Sequence, residues 1–107
     1  MVDLHAHTRR SDGLLEPAAL VAAASAAGIR LFSITDHDTL AGYRQVRAAG
    51  AIPPGMELIP GVEINAIVSS RGRAWEGELH VLGFGMDPGD EEFENVLATQ
   101  RESRRVR

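Results

Sequence analysis

The sequence predicts an α/β domain with a parallel sheet, and three observations carry that prediction. Short apolar runs of strand type alternate with helical segments in the order β-α-β-α-β-β-α. Gly and Pro residues separate these segments, as expected of turns. Polar side chains gather where the apolar runs end, and parallel α/β folds collect their functional groups at the C-terminal ends of the strands.

The length and composition limit the number of domains and the residue types that a metal site could use. The 107 residues suffice for one small domain, residues 1–107, and 44% of them are apolar, as in a globular core. The net charge of -4 gives no general electrostatic case for nucleic acid or membrane. There is no cysteine, so a metal site must use His, Asp and Glu. We expect a cytoplasmic protein, because neither a signal peptide nor an apolar run of about 20 residues is visible.

The first half of the chain predicts two strands and two helices. The Ala-rich run that follows Pro17 fits a helix, since proline suits the first helical turn, and Gly28 suits its C-terminal cap. The next run is almost wholly apolar, as expected of a buried parallel strand. Gly50 closes the second helix. The predicted elements are the strand 2–7, the helix 17–27, the strand 29–35 and the helix 39–49.

The second half predicts two strands and a final helix. Residues 57–60 form a third strand that 61–64 continue, and a fourth strand over 78–84 contains His80. The last helix begins near residue 90, with acidic residues at its start and Arg at its finish, which matches the helix dipole. One face of this helix is predicted to carry Phe93, Val96, Leu97 and Gln100.

The start of the chain concentrates metal-binding chemistry in Asp3-Leu4-His5-Ala6-His7-Thr8 and Ser11-Asp12-Gly13. In an extended segment His5 and His7 point to one face, so two imidazoles can meet one divalent cation. A turn can return the Asp12 carboxylate to the same pocket. Asp3 either accepts hydrogen bonds from neighbouring backbone or orients a ligand. The alternatives are a loose terminus and a mere turn-forming role for Asp12.

Further candidates follow at later strand ends. His37 lies between Asp36 and Asp38, Glu63 lies in the third strand and His80 in the fourth. Glu63 would be an odd buried charge without a cation, whereas His80 alone fits a core histidine. Asp36 and Asp38 fit helix N-caps or carboxylates that orient ligands. Such a mixed nitrogen and oxygen site suits Mn²⁺, Zn²⁺ or Fe²⁺ better than Mg²⁺.

Four segments therefore occur in order along the chain. They are the start described above, then Ile34-Thr35-Asp36-His37-Asp38-Thr39, Gly61-Val62-Glu63-Ile64 and His80-Val81-Leu82-Gly83. Together they resemble the PHP family, the polymerase and histidinol phosphatase superfamily of metal-dependent phosphoesterases, and most of all its small bacterial members that act on nucleotides. The resemblance covers nearly all of the chain. It implies the N-terminal part of a distorted (βα)7 barrel with up to three metals at its C-terminal rim.

The resemblance also implies which residues hold those metals. The implied ligands are His5, His7 and Glu63 for the first ion, Asp12 and His37 for the second, and His80 with Glu63 for the third. The supporting carboxylates would be Asp3, Asp36 and Asp38. We expect Mn²⁺, with Zn²⁺ or Fe²⁺ as alternatives.

The chain departs from the family after its fourth segment. No histidine follows His80, so the later His-Pro and Asp-x-His motifs of the family are absent. We expect a truncated piece of a longer phosphoesterase, poorly stable or self-associating, in which residues 90–107 lead toward the family's inserted capping segment. Arg101 and Arg104 are expected to hold a substrate phosphate, because the guanidinium fork binds two oxygens. The alternative is that they only complement the helix dipole.

The expected function is hydrolysis of phosphate esters, of a nucleotide or nucleoside bisphosphate, by a metal-activated water. One alternative is a catalytically weak or inactive metal-binding fragment. Others are PHP activities of the 3'-5' exonuclease or histidinol-phosphatase type. The expected partner is a small phosphorylated substrate, with no membrane and no broad nucleic-acid surface, because aromatic stacking platforms are lacking.

Overall fold

Seven elements make up the fold in the predicted order. The computed structural model describes residues 1–69 and 76–105, with side-chain surroundings for 1–64 and 80–102. The elements are β1 (Val2–Ala6), α1 (Pro17–Ala26), β2 (Leu31–Ile34), α2 (Ala41–Ala49), β3 (Glu57–Ser69), β4 (Glu76–Phe84) and α3 (Glu91–Arg105).

The four strands form one sheet in the order β1-β2-β3-β4. The first three strands are parallel, as predicted, with Val2 opposite Leu31 and Leu31 opposite Glu57. The fourth strand runs antiparallel to the third, which the alternation of strands and helices did not indicate. The alternative of a loose N-terminus is wrong, because β1 pairs with β2 from Val2 onward.

The long third strand changes its partner part-way along. Glu57–Pro60 pairs with β2, and the stretch from Gly61 to Ser69 pairs with β4. Gly61 lies at this junction, where an added Cβ would meet the Thr35 methyl at 2.9 Å and the Phe84 ring at 3.1 Å. Glycine therefore lets the backbone of β3 pass close to the end of β2.

Helices α1 and α2 pack together over one face of the sheet. Pro17 occupies the first turn of α1, and Gly28 follows its end at φ 87°, while Gly50 ends α2 at φ 63°. Both glycines thus take left-handed conformations that suit helix ends. The larger core cluster joins helices and strands through Val21, Ala24, Phe32, Ile34, Tyr43, Val46, Met56 and Leu58.

Helix α3 covers a smaller, separate cluster. Its Leu97 is fully buried against Leu40 and Val62, with Phe93 packed at the margin. The predicted face is wrong at Val96, which is 49% exposed, because only a narrow strip of α3 reaches the sheet. Within the part of the chain that the structure describes, no helix has the length and apolar character to cross a bilayer.

Candidate metal centre

Parallel pairing brings the predicted ligands to one edge of the sheet. His5 lies near the end of β1, and His7 follows it directly. His37 comes three residues after β2 and forms an isolated parallel bridge with Glu63 of β3. His80 lies in β4, where the antiparallel pairing returns the chain to the same place. The carboxyl ends of β1 and β2 thus meet the middle of β3 and β4.

The Glu63 carboxylate is the centre of the cluster. Its Oε1 lies 2.8 Å from His5 Nε2 and 3.0 Å from His7 Nε2. Its Oε2 lies 2.6 Å from His80 Nδ1 and 3.7 Å from His37 Nδ1. The side chain of Glu63 is only 4% exposed. One buried carboxylate therefore faces four imidazoles.

The Asp12 carboxylate closes the outer side of the cluster. Its Oδ1 lies 2.5 Å from His7 Nδ1, and its Oδ2 lies 3.0 Å from His37 Nε2. The rings of these two histidines stand edge to face with centroids 4.4 Å apart. Asp12 is 62% exposed, so it is the carboxylate of the set that solvent reaches.

Two groups of side chains have the donor spacing that a metal ion needs. In each group the potential ligand atoms lie within 4.8 Å of one another. The groups are His5, His7 and Glu63, and His7, Asp12 and His37. His80 contacts Glu63 but belongs to no such group among the described residues. Imidazole with carboxylate is the donor chemistry of Mn²⁺, Zn²⁺ and Fe²⁺ sites, so the residues fit the expected ions.

Both carboxylates are held in their charged form. Burial raises the pKa of Glu63, but hydrogen bonds from His80, His5 and His7 and the charge of His37 outweigh it, and its pKa falls to about 2. Burial also raises the pKa of Asp12, yet contacts with His7 and His37 bring it below its ordinary value. The site therefore presents two negative charges to a cation at neutral pH.

Asp36 holds the backbone and side chains next to two of the candidate ligands, His7 and Asp12. Its fully buried carboxylate accepts hydrogen bonds from the Thr8 amide (2.6 Å), the Thr8 hydroxyl (2.6 Å) and the Ser11 hydroxyl (2.9 Å). These bonds tie the loop that carries Asp12 to the end of β2. Gly42 is required beside them, because a Cβ there would lie 2.6 Å from Asp36 Oδ2.

The N-cap interpretation is wrong for both Asp36 and Asp38. Helix α2 begins at Ala41, whose amide donates to the Thr39 hydroxyl at 3.1 Å. Asp38 is fully buried at φ 55°, and its amide donates to the Glu63 carbonyl at 3.0 Å. The Asp38 amide is therefore hydrogen-bonded to β3, and Asp38 does not cap α2.

Three further expectations meet different outcomes. The Asp3 carboxylate accepts a hydrogen bond from the His5 amide at 3.1 Å, which is the local role considered for it. His80 is 50% exposed, so the core-histidine alternative is wrong. The Arg101 guanidinium donates to the Asp38 carbonyl and to Glu94, so its phosphate contact stays a prediction. The side chain of Arg104 lies outside the described residues.

Sequence reasoning missed the residues that hold these ligands in place. Thr8 and Ser11 both donate to the Asp36 carboxylate, and their signal in the sequence is a pair of hydroxyl residues around the turn after His7. The sequence pattern places Arg44 within a helix and predicts no contact for it. It donates to the Pro88 carbonyl at 2.7 Å and to Glu94 at 3.2 Å, and no short motif marks such a contact between distant elements.

Known proteins share both the sequence pattern and the fold. A family model described as the PHP domain matches residues 3–104. A 5'-3' exoribonuclease of Haemophilus influenzae is 38% identical over 106 residues, covering 98% of this chain and 36% of the relative. A 3',5'-nucleoside bisphosphate phosphatase of Chromobacterium violaceum is 36% identical over 103 residues, covering 96% of this chain and 34% of the relative.

Solved structures give the same result. A protein of Bifidobacterium adolescentis, described as a metal-dependent phosphoesterase, superposes with a TM-score of 0.79 at 35% identity, covering 98% of this chain and 34% of the other. An amidohydrolase of C. violaceum superposes with a TM-score of 0.77 at 34% identity, covering 96% and 34%.

The chain spans about a third of the length of the relatives it matches. Its likeness to these structures confirms the predicted α/β fold as part of a PHP-type barrel. Since the family model matches from residue 3 to residue 104, this chain belongs to the PHP domain family.

Proposed function

We propose that this chain is the metal-binding part of a phosphoesterase that hydrolyses phosphate esters. One observation carries the proposal: Glu63 is almost fully buried, yet its two oxygens face four imidazoles within 3.7 Å. An apolar side chain at this position would avoid the desolvation cost of a buried charge, so a carboxylate here points to a role other than stability. The imidazoles already compensate the buried charge, and a divalent cation held by them and by Glu63 would add to that compensation.

The proposed metal ligands follow the observed contacts. His5, His7 and Glu63 would hold one ion, and Asp12 with His37 would hold a second. His7 belongs to both observed groups, because its two ring nitrogens face different carboxylates. His80 would serve a third ion through its contact with Glu63. We propose Mn²⁺ as the bound ion, since both donor types occur together.

In the proposed reaction, the ions and the residues of the chain have different roles. Bound divalent ions would lower the pKa of a water and neutralise phosphate oxygens. The chain itself fixes the donors: the buried Glu63 contacts the imidazoles, and the exposed Asp12 lies on the solvent side of the cluster, where a substrate would enter. Asp36 keeps the Asp12 loop closed against β2.

The proposed substrate is a nucleotide carrying a phosphate monoester. Support comes from the C. violaceum relative, which is named for a 3',5'-nucleoside bisphosphate. Because the chain covers about a third of such relatives, turnover by the 107 residues alone is part of the proposal under test. Metal binding without turnover would favour the alternative of a metal-binding fragment.

A second candidate is 5'-3' exoribonuclease activity. Relatives from H. influenzae, Salmonella typhimurium and Escherichia coli carry that name, at 38%, 37% and 38% identity. These names state degradation in the 5'-3' direction, opposite to the 3'-5' exonuclease activity that the sequence leaves open as an alternative. Both candidates use the same cluster, because each cleaves a phosphate ester beside a metal ion.

A direct assay tests these proposals. The chain is stripped with chelator, reloaded with Mn²⁺ or Mg²⁺, and offered a nucleoside 3',5'-bisphosphate or a 5'-phosphorylated oligoribonucleotide. We expect phosphate or nucleotide release with Mn²⁺, loss of release in Glu63→Gln, and no change in Glu57→Gln, an exposed position of the same strand. Failure to bind Mn²⁺ would overturn the metal-centre proposal.

A further inference from the structure

The main chain beside His37 is held from two directions. The Asp38 amide donates to the Glu63 carbonyl at 3.0 Å, and the Asp38 carbonyl accepts a hydrogen bond from Arg101 Nη1 at 2.8 Å. Among the described residues other than glycine, Asp38 alone has a positive φ, at 55°. A left-handed residue of this kind is disfavoured unless its surroundings hold it.

We propose that Arg101 is a positioning residue, which fixes the direction of the His37 ring through the main chain of Asp38. The inference rests on the proposed function, because it treats His37 as a ligand of the metal centre. It differs from the expectation that Arg101 binds a substrate phosphate, since here the guanidinium acts on the protein itself.

The two hydrogen bonds at Asp38 restrain two successive peptide planes. The amide belongs to the plane shared with His37, and Glu63 holds it. The carbonyl belongs to the plane that follows, and Arg101 holds that one. With both planes fixed, the backbone dihedrals of Asp38 are fixed as well. His37 Nε2 then stays 3.0 Å from Asp12, rather than turning with the loop.

The guanidinium is itself held in place. Arg101 Nη2 donates to Glu94 Oε1 at 2.9 Å, and Glu94 Oε2 accepts from Arg44 at 3.2 Å. Arg44 also donates to the Pro88 carbonyl at 2.7 Å. This chain of contacts joins α2, the segment before α3 and α3 itself. Arg101 therefore reaches Asp38 from a preset position, with a side chain 36% exposed.

The network offers a matched pair of variants. Arg101→Met removes the donors to Asp38 while keeping an aliphatic stem. Arg44→Met removes donors from the same network, but within the described part of the chain the donors of Arg44 reach Glu94 and Pro88 and not Asp38. Both variants should lower the melting temperature, so stability alone does not separate them. The imidazole ¹⁵N–¹H spectrum of the metal-free chain separates them, because it reports the surroundings of each histidine ring. The His37 signal is assigned by its loss in a His37→Gln variant.

We expect Arg101→Met to move the His37 signal and to weaken Zn²⁺ binding by about 10-fold, as for other groups that orient ligands. Arg44→Met should move the His37 signal much less than Arg101→Met, because Arg101 keeps its own bonds to the Asp38 carbonyl and to Glu94. Arg101→Lys should move it less than Arg101→Met, because one ammonium replaces the two-sided fork. Should Arg101→Met not fold, Arg101→Lys carries the test.

The outcomes separate this inference from the proposed function. An unmoved His37 signal in Arg101→Met, or in Arg101→Lys if only that variant folds, would overturn the positioning role. Loss of inorganic phosphate binding alongside an unmoved signal would assign Arg101 to the substrate instead. A chain that binds neither Mn²⁺ nor Zn²⁺, but whose His37 signal moves in Arg101→Met, would refute the metal centre and uphold the positioning role.

Discussion

At the scale of single residues, buried carboxylates organise the site. Glu63 gathers the imidazoles, and Asp36 gathers the hydroxyl and amide groups of the preceding loop. The two carboxylates differ in what they face. Glu63 faces four imidazoles, whereas Asp36 accepts hydrogen bonds from Thr8 and Ser11. Glu63 therefore lies at the centre of the proposed metal site, and Asp36 fixes the loop that carries Asp12.

Asp36→Asn is expected to destabilise the chain and to loosen the Asp12 loop. An amide nitrogen would replace one acceptor opposite the Thr8 donors, leaving buried groups unpaired. We expect the free energy of unfolding in urea to fall by about 2–3 kcal/mol. Asp87→Asn is the control, since Asp87 is exposed and accepts only a local bond from the Gly89 amide. A loss no larger than in that control would contradict the role of Asp36.

The sequence was most informative where spacing alone decides geometry. The spacing of His5 and His7 predicted that both point to one face, and both reach the same Glu63 oxygen. The role of Asp38 could not be read in this way. Its conformation depends on Glu63 and Arg101, which lie 25 and 63 positions away in the chain. Local preference for an N-cap cannot anticipate such partners.

At the scale of elements, α3 is held by polar contacts as well as by burial. Among the described side chains of α3, Leu97 is buried and Val96 is exposed. Glu94 pairs with both Arg44 and Arg101 and so fastens α3 to α2. The helical pattern of the sequence predicted α3, but not how little of its apolar face the sheet covers. That fraction depends on how β4 turns back antiparallel to β3.

Glu94 should make the docking of α3 sensitive to acid. Burial raises the pKa of Glu94, but Arg101 and Arg44 outweigh it and bring the pKa below its usual 4.5. A carboxyl whose pKa is lower in the folded state stabilises the fold above its unfolded pKa and loses that contribution as pH falls through its folded pKa. Glu94→Gln should therefore lower stability by about 1 kcal/mol at pH 7.

The difference between wild type and Glu94→Gln should shrink below pH 4.5 and vanish under the lowered pKa of Glu94. Urea unfolding at a series of pH values measures it. Glu91→Gln, an exposed change in the first turn of the same helix, should show no comparable difference. A Glu94→Gln effect that persists unchanged into acid would contradict the ion-pair explanation.

Helix α2 approaches β2 closely because Gly42 has no side chain. In most exposed helical positions, alanine in place of glycine stabilises a helix. Here the added Cβ would lie 2.6 Å from Asp36 Oδ2 and 3.0 Å from Thr8 Oγ1. We expect Gly42→Ala to lower the free energy of unfolding by about 1–3 kcal/mol. Gln45→Ala, at an exposed position of α2, should leave it nearly unchanged in the same urea measurement.

At the scale of the whole molecule, the sheet has two edges. Among the described residues, β1 pairs only with β2, and β4 only with β3. Val2 of the first edge is 59% exposed, and Phe84 of the other is 42% exposed. Strand edges with apolar side chains are ready to pair with another chain.

We therefore expect the 107-residue chain to self-associate, as predicted from its sequence. Sedimentation velocity over a concentration series measures this directly. Val2→Lys should reduce association, because a charge on an edge strand disfavours edge-to-edge pairing. Leu14→Lys is the control, since Leu14 is 91% exposed but lies in a loop. A monomer at every concentration tested would contradict the expectation.

The contact between His5 and Glu63 also bears on the kinetics of folding. It joins residues 58 positions apart, so the cluster completes only after β1, β2 and β3 have come into register, and long-range pairing of this kind forms slowly. An ion shared by these residues would bind and stabilise the folded chain, because the site does not exist until these strands have paired. Since the cluster completes late in folding, bound ions would chiefly slow unfolding and leave the folding rate nearly unchanged. Resistance to proteolysis would then report occupancy of the centre.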